Sequence, residues 1–462
     1  MPGLAEPEQG TSRSEEPEPA GRSRPSPVSL VRSLVYFVPS YALAIVGYLA
    51  VNVIAARMLG TSGFGYLVVL MSVAGLVAQL ALLGIHRAGL REAARAEDTQ
   101  TLVALRRQFR AILVVPLPAA SALTALVVWL IDPGLSGMLT AVLAGVLVYQ
   151  SGYQTLSANF LRGLGHIRTA SLLSGRSGGA LVAVVQALGV GLVAWVAPDS
   201  GLAGVLLGVC AGYLLPLCFV WWELDRSWPP ATGPHHTFRE LRTVMGRDWR
   251  FTLSQSGGYL NSTVELWLGG ALLTAGHTSL FAAAQRLARL LVIPATSLAT
   301  VFAPAIARLT ARDERARLQT LVRTAATMAT AFCAVLWLPM VVAPELVLRG
   351  VFGEHFTAAA PALVLMATAY LLNSVSGMSG KTLSMSHHEG DLALITWVVV
   401  TLRVASGVVC ALLWGITGLA ASSLALSAVF YLVNWLAVRR RLSISTHATL
   451  RPNLRILARI AG

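Results

Sequence analysis

Long apolar runs, separated by short polar connections, follow one another along most of the chain. From Val31 onward these runs are about 20 residues long, which is enough for a helix to cross a bilayer. We predict twelve such spans, numbered in chain order: 33–55, 64–85, 111–131, 137–158, 176–196, 201–222, 251–273, 278–305, 321–342, 361–382, 391–413 and 416–437. Residues 1–28 have too few apolar residues to build a core and are predicted to be disordered. They lack the basic-then-apolar order of a cleaved signal peptide, so span 1 is expected to be retained.

The composition agrees with a chain that lies mostly in lipid. Of the 462 residues, 55% are hydrophobic and only 12% are charged, whereas soluble domains carry about 25% charged residues. A soluble protein of this composition would expose large apolar patches, which soluble proteins avoid. The sequence therefore predicts an all-α integral membrane protein.

The basic residues indicate the orientation of the spans. Of the 35 Lys and Arg residues, 30 fall in the N-terminal segment, in connections that follow even-numbered spans, or in the C-terminal tail. Only Arg57 and Arg349 follow odd-numbered spans. By the positive-inside rule, both termini are expected to be cytoplasmic, in a multi-pass protein of the cell membrane. This bias accounts for the net charge of +14, and no nucleic-acid partner is expected.

Six spans return the chain to the side on which it started, so two six-helix halves can be arranged in parallel around a central cavity. We predict a cytoplasmic N-terminal tail at 1–28, a first half at 29–222, a cytoplasmic linker at 223–250, a second half at 251–438 and a basic cytoplasmic tail at 439–462. Three amphipathic segments are expected to lie along the cytoplasmic membrane surface: Arg87–Arg110, Thr237–Trp249 and Leu450–Ile460.

The ends of spans 1 and 7 are similar to each other. In each, a helix ends in a short turn of small residues and another apolar run follows directly, at Asn52–Tyr66 and at Glu265–Phe281. At these residues the sequence resembles the polysaccharide-transporter (Wzx-like) oligosaccharide flippases, whose superfamily also holds MATE exporters and lipid II flippases. The stretches that carry the resemblance are Ala55–Tyr66, Leu82–Ile85, and Glu265–Arg308 with its segments Phe281–Arg286 and Phe302–Pro304.

This resemblance, which extends over most of residues 30–440, implies a function. A flippase of this type would move an isoprenoid-pyrophosphate-linked oligosaccharide from the inner to the outer leaflet by alternating access. Its partners would be the lipid-linked oligosaccharide, membrane lipid, and a polysaccharide polymerase or glycosyltransferase. The family commonly has Asp at an acidic position of span 7, where this chain has Glu265.

Catalytic motifs are missing from the sequence. There is no P-loop, no G-x-S-x-G and no H-E-x-x-H pattern, so neither an enzyme nor a nucleotide-driven pump is expected. The four cysteines lie in apolar runs and form no C-x-x-C pair. The pairs His235–His236 and His387–His388 read as surface residues rather than metal ligands. We expect no cofactor and no metal.

Four ionisable residues lie deep inside predicted spans, where charge is costly and usually functional. From a rise of 1.5 Å per residue, Glu265 and Arg403 are about 21 Å and 18 Å from the cytoplasmic ends of spans 7 and 11. Arg286 and Arg289 are about 12–17 Å from the outer end of span 8, at comparable depth. They share a helical face, and Arg matches phosphate oxygens with fixed, forked donors.

We therefore predict a cationic cavity formed by Arg286, Arg289 and Arg403 for an anionic headgroup, with Glu265 serving in ion coupling or in an ion pair. Amides in or near the spans are candidate glycan contacts: Asn52, Gln79, Gln150, Gln154, Gln255, Asn261, Gln285 and Asn373. Each amide is also explained by helix packing, in which polar side chains commonly take part.

Three alternatives remain open on the sequence. A structural reading pairs Glu265 with an arginine and joins span 7 to span 8. A cation-coupled, MATE-like exporter of small amphiphilic molecules would require Glu265 and not the arginines. A non-transporting scaffold of a polysaccharide assembly complex would require none of these charges.

Overall fold

The computed structural model describes residues 27–96, 98–173, 179–229, 237–386, 388–449 and 452–453. Most of the predicted N-terminal tail, His235–His236, His387 and most of Leu450–Ile460 lie outside the described residues. Within the described ranges there are sixteen α-helices, two short 3₁₀ helices and no strand.

The α-helices are numbered along the chain. They are α1 Pro27–Ala81, α2 Ile85–Arg95, α3 Thr99–Val114, α4 Pro116–Ile131, α5 Leu135–Gly163, α6 Ile167–Leu173, α7 Gly179–Val196, α8 Gly201–Ser227, α9 Thr237–Leu272, α10 Ala275–Ala288, α11 Val292–Ala311, α12 Arg315–Val342, α13 Pro344–Phe352, α14 Ala360–Ser376, α15 Ser379–Met385 and α16 Glu389–Leu442. The 3₁₀ helices are Arg289–Leu291, between α10 and α11, and Glu354–Ala359, before α14.

These helices account for the predicted spans. Seven helical segments of the described chain are long and apolar enough to cross a membrane. Two of them contain two spans each, because α1 is kinked at Gly60 and α16 is kinked at Trp414 and Gly415. Helix α5 supplies span 4, helix α9 supplies span 7, and helices α10 and α11 together supply span 8. The predicted all-α membrane fold of about twelve spans is confirmed.

Two spans differ in detail from the prediction. Span 10 ends at Ser376 rather than at residue 382, because Gly377 has φ 78° and breaks the helix. A side chain at Gly377 would also meet the carbonyl group of Thr446. Span 8 is interrupted by the 3₁₀ turn Arg289–Leu291, which hydropathy alone could not locate.

Connections that were predicted to share a side lie at one end of the helix bundle. Arg106 of α3 is paired with Asp225 at the end of α8, and Arg247 of α9 is 2.8 Å from Glu92 of α2. At the other end, Phe64 packs against Phe352 with 6.0 Å between ring centroids. The arrangement of the connections therefore agrees with the predicted order of spans. We call the end of the bundle with Arg106 and Arg247 the predicted cytoplasmic end, and the end with Phe64 the predicted outer end.

Candidate functional site

The spans of the first and second halves meet along a seam formed by α1, α9 and α10. At the predicted outer end, the Ser279 hydroxyl donates to the carbonyl oxygen of Thr61. Further in, the Tyr259 hydroxyl donates to the Ser72 carbonyl at 2.8 Å and the Trp267 indole donates to the Ser72 hydroxyl at 2.7 Å. Polar contacts thus join span 2 to span 7 in a region where water is scarce.

Near the predicted cytoplasmic end, Arg247 connects the linker part of α9 to α2 and α3 of the first half. Its guanidinium donates to Glu92 of α2 at 2.8 Å and to Gln108 of α3 at 3.3 Å. It also forms a paired contact with the neighbouring Asp248, which is only 1% exposed. The hydrogen bonds from Arg247 to Asp248 raise the pKa of the guanidinium, and the charge of Glu92 raises it further. Arg247 therefore carries its charge whenever this contact is formed.

Arg286 lies in the middle of the seam. It is on α10, is 8% exposed, and places its guanidinium carbon 4.9 Å from the ring centroid of Tyr48 on α1. A cation over an aromatic face is attracted by the ring quadrupole. Its Nε has no hydrogen-bond partner, and no carboxylate pairs with Arg286 among the described residues. A buried guanidinium without a counter-ion is costly and has donors available for an anion.

Arg289 lies one turn further along the same face. It begins the 3₁₀ turn, and its guanidinium donates to the backbone carbonyl of Ser262 on α9. The side chain is half-buried. Arg286 and Arg289 are therefore both at the contact of span 8 with its neighbours, and Arg289 is held by one backbone acceptor.

Arg403 is placed differently. Its guanidinium forms an ion pair with Glu265, and the two residues are 4% and 2% exposed. It also donates to the Ser427 hydroxyl at 2.8 Å, with Ser423 at 3.5 Å. The pair joins span 7 to spans 11 and 12 inside the second half. The sequence-based alternative that joined span 7 to span 8 through Glu265 was wrong about the partner helix, because depth along a span does not show which helices adjoin.

The candidate amides differ in how many of their hydrogen-bonding atoms have partners. Three donate to nearby carbonyls: Asn52 to Tyr48 at 2.7 Å, Gln150 to Cys210 at 3.2 Å and Gln154 to Leu173 at 2.6 Å. Gln285, Asn261 and Gln150 each have a buried oxygen without a partner. Within the described residues, Gln79, Gln255 and Asn373 form no side-chain hydrogen bond. Gln285 adjoins Arg286 in sequence and is the amide nearest to the seam arginines along the chain.

At the predicted cytoplasmic end, the charge of one basic residue lowers the pKa values of basic residues from both halves. Burial lowers the pKa of Arg162, at the end of α5, and the charge of Arg87 on α2 lowers it further. The same two causes, in the same order, lower the pKa of Lys381 on α15. Arg87 is thus within electrostatic range of positive groups that follow spans 4 and 10. The described part of the chain contains no cluster of three His, Cys, Asp or Glu residues suited to a metal.

Sequence reasoning missed the aromatic and hydroxyl partners of the charged groups. Tyr48 lies one helical turn before Asn52. Because residues at this spacing share a helix face, Tyr48 could have been named as a candidate together with Asn52. Ser423 and Ser427 are similarly spaced in span 12. No signal in the sequence identified Ser72 as the acceptor for Tyr259 and Trp267.

Comparison with known proteins shows which family the chain belongs to. Residues 31–310, more than half of the chain, match the family described as polysaccharide biosynthesis protein. The chain belongs to the polysaccharide biosynthesis protein family. Among curated proteins, this family member is 22% identical over 227 residues to the probable low-salt glycan biosynthesis flippase Agl15 of Haloferax volcanii. That match spans 49% of this chain and about half, 47%, of the relative.

Solved structures share the fold. The Vibrio cholerae MATE transporter VcmN is 15% identical, with a TM-score of 0.61 over 91% of this chain and 98% of the transporter. An inward-facing multidrug resistance MATE transporter of the MOP superfamily is 14% identical, with a TM-score of 0.63 over 90% and 98%. A MOP superfamily transporter from Pyrococcus furiosus, described by the reverse polarity of its binding pocket, is 14% identical, with a TM-score of 0.58 over 90% and 96%. The family member is a multi-pass helical membrane protein with the fold of MATE-type transporters.

Proposed function

We propose that this member of the polysaccharide biosynthesis protein family is a flippase. It moves a glycan attached to an isoprenoid pyrophosphate from the inner to the outer leaflet, for the synthesis of cell-surface polysaccharide or glycoconjugate. The two halves rock about the seam, so that the site faces each side of the membrane in turn. The description of the Haloferax relative as a probable glycan biosynthesis flippase supports this class of substrate.

The proposal rests on the environment of Arg286. A buried cation between the halves, held by the ring of Tyr48 and lacking a carboxylate among the described residues, favours an anionic ligand. Pyrophosphate oxygens would accept from its free donors, and a charge-assisted, forked contact is among the strongest hydrogen bonds available. Arg289, which adjoins it, would supply a second cation once its contact with Ser262 is exchanged for the ligand. Gln285 would meet glycan hydroxyls with its unpartnered oxygen.

Arg403 and Glu265 have another role in this proposal. Because Arg403 is neutralised by Glu265 inside the second half, the pair holds spans 7, 11 and 12 together rather than binding the headgroup. Ion coupling through Glu265 would require the pair to open. At the predicted cytoplasmic end, the positive charge of Arg87 acts on both Arg162 and Lys381. These three basic groups would attract the headgroup before it reaches Arg286.

The test is depletion of the protein in its host, followed by quantification of lipid-linked glycans on each leaflet with a membrane-impermeant label. Wild type, Arg286→Ala, Arg286→Lys and Arg289→Ala are compared in complementation, with Arg312→Ala as the matched control. Arg312 is an exposed arginine of the connection between α11 and α12. Glycans should accumulate on the inner leaflet upon depletion, and wild type and the control should relieve the accumulation. Arg286→Ala should not relieve the accumulation. Arg286→Lys should restore transport only in part, because lysine lacks the paired, planar donors of the guanidinium group.

Other outcomes would favour a different function for the protein. Full rescue by Arg286→Ala would overturn the cationic site. Normal glycan intermediates, together with increased sensitivity to cationic compounds that Glu265→Gln fails to correct, would favour a cation-coupled exporter. If depletion stops polysaccharide assembly while every charge variant rescues it, a non-transporting scaffold would be the better assignment.

A further inference from the structure

A groove of about 580 Å³ lies away from the seam arginines, at the predicted cytoplasmic end. Its walls come from three helices that are distant in sequence. They are α3, with Arg107, Arg110, Leu113 and Val114, then α5, with Tyr149, and the start of α9, with Glu240. The groove therefore lies where spans 3 and 4 of the first half adjoin the linker helix that continues into span 7.

The chemistry of the groove is divided along its length. Arg107 and Arg110 are spaced i, i+3 and share one face of α3. The next turn of that helix is apolar, and Val114 is 67% exposed. The adjacent Arg106 does not line the groove, because it is paired with Asp225 and donates to the Pro229 carbonyl at 2.7 Å. The groove thus has cationic groups at one end and hydrocarbon at the other.

The linker helix has a face that suits the membrane surface. Phe238, Met245 and Trp249 are spaced i, i+7 and i+11 on the first turns of α9 and are 80%, 55% and 53% exposed. On the adjoining side of the helix, Leu241 and Val244 are buried in the hydrophobic core. A helix with exposed aromatic and apolar residues on one face lies in the interfacial region of a bilayer. This places the arginines of the groove at headgroup level and its apolar end at the level of acyl chains.

We propose that this groove binds an anionic phospholipid of the inner leaflet, with its phosphate at Arg107 and Arg110 and an acyl chain against Leu113 and Val114. Because one wall is the linker helix, the lipid holds α9 to spans 3 and 4 of the first half. The occupant is a resident membrane lipid and not the transported glycan lipid, since the groove is lined by spans 3 and 4 whereas Arg286 faces span 1. Glu240 lowers the net charge of the groove and so limits how tightly the lipid is held.

Native mass spectrometry of the full chain tests this site. The protein is incubated with equal amounts of phosphatidylglycerol and phosphatidylcholine that carry the same acyl chains, and the retained lipids are counted. The double variant R107Q/R110Q is compared with wild type, with E240Q, and with the matched control R312Q/R317Q, which removes two exposed arginines from another cytoplasmic connection. Hydrogen exchange in nanodiscs of either lipid shows where the lipid acts.

Wild type should retain phosphatidylglycerol preferentially, and R107Q/R110Q should bind it about thirtyfold more weakly. E240Q should retain it more strongly, and the control should equal wild type. Phosphatidylglycerol should slow exchange in residues 107–114 and 237–240. Equal retention by R107Q/R110Q and wild type, or equal protection by both lipids, would overturn the proposal. Displacement by millimolar inorganic phosphate would show a phosphate site without lipid specificity and would also overturn it.

Discussion

Arg286 and Tyr48 form a cation–π contact that crosses from span 8 to span 1, with 4.9 Å between the guanidinium carbon and the ring centroid. Each residue belongs to a different half of the chain. The contact supplies only part of what hydration would give the buried guanidinium, because Nε has no partner. An anion that enters the seam would therefore gain the remaining donors, and its binding would be coupled to how the two halves meet.

The ring of Tyr48 can be tested separately from the charge. We expect Tyr48→Leu to lower stability by about 2 kcal/mol, because the cation–π attraction is lost from a site with little water. Tyr48→Phe keeps the ring and should change stability very little. Thermal unfolding in detergent, followed by size-exclusion chromatography, measures the difference. Equal loss in both variants would show that the hydroxyl, and not the ring, holds Arg286.

The ion pair of Glu265 and Arg403 predicts non-additive mutations. Glu265→Gln alone should destabilise the protein by about 3–5 kcal/mol, because Arg403 is then left as an unpaired buried charge. Glu265→Leu and Arg403→Met, made singly, each leave the partner as an unpaired buried charge, whereas together they remove both charges and should cost much less than the sum of these two single losses. A double-mutant cycle by thermal unfolding gives the coupling. Additive losses would mean that the two residues do not act as a pair.

Gly84 predicts a steric effect at the connection between span 2 and α2. It has φ 79°, and a Cβ there would come within 2.5 Å of the Asp248 carbonyl oxygen on α9. Gly165 has φ 94° but no atom within 4 Å of such a Cβ. Gly165→Ala should cost about 1–2 kcal/mol through backbone strain. Gly84→Ala should cost clearly more, because α2 and α9 must also separate, and hydrogen exchange in α2 should rise. Equal costs for both variants would argue against this close approach.

His86 predicts a dependence of stability on pH. Burial lowers the pKa of its imidazole to about 3, and the neighbouring Arg87 adds to the effect. The unfolded chain takes up the proton near pH 6.5 while the folded chain does not, so stability falls as the pH drops below that value. We expect a loss of about 2 kcal/mol between pH 8 and pH 5.

The control for this effect is a histidine on the surface. His86→Gln should lose the pH dependence, whereas replacing the exposed His355 by Gln should leave it unchanged. Chemical unfolding at a series of pH values between 5 and 8 measures the slope. If His86→Gln keeps the wild-type slope, another group is responsible.

The sequence by itself determined the class of fold, the number of spans and the grouping of basic connections at one end. These properties follow from the length and polarity of continuous segments, which the bilayer constrains before any helix meets another. The sequence also identified the four buried charges, because an ionisable residue in an apolar run is visible without knowledge of its neighbours.

Only the tertiary structure decided what those charges do. Arg286, Arg289 and Arg403 looked equivalent by depth, yet Arg403 is neutralised by Glu265 from a helix 138 residues away, Arg289 donates to a backbone carbonyl, and Arg286 stacks on Tyr48. Depth along a helix follows from residue number, at a rise of 1.5 Å per residue. Rotation about the helix axis and the choice of adjoining helix follow from packing between distant segments, so the partner of each charge is set only when all the spans are assembled.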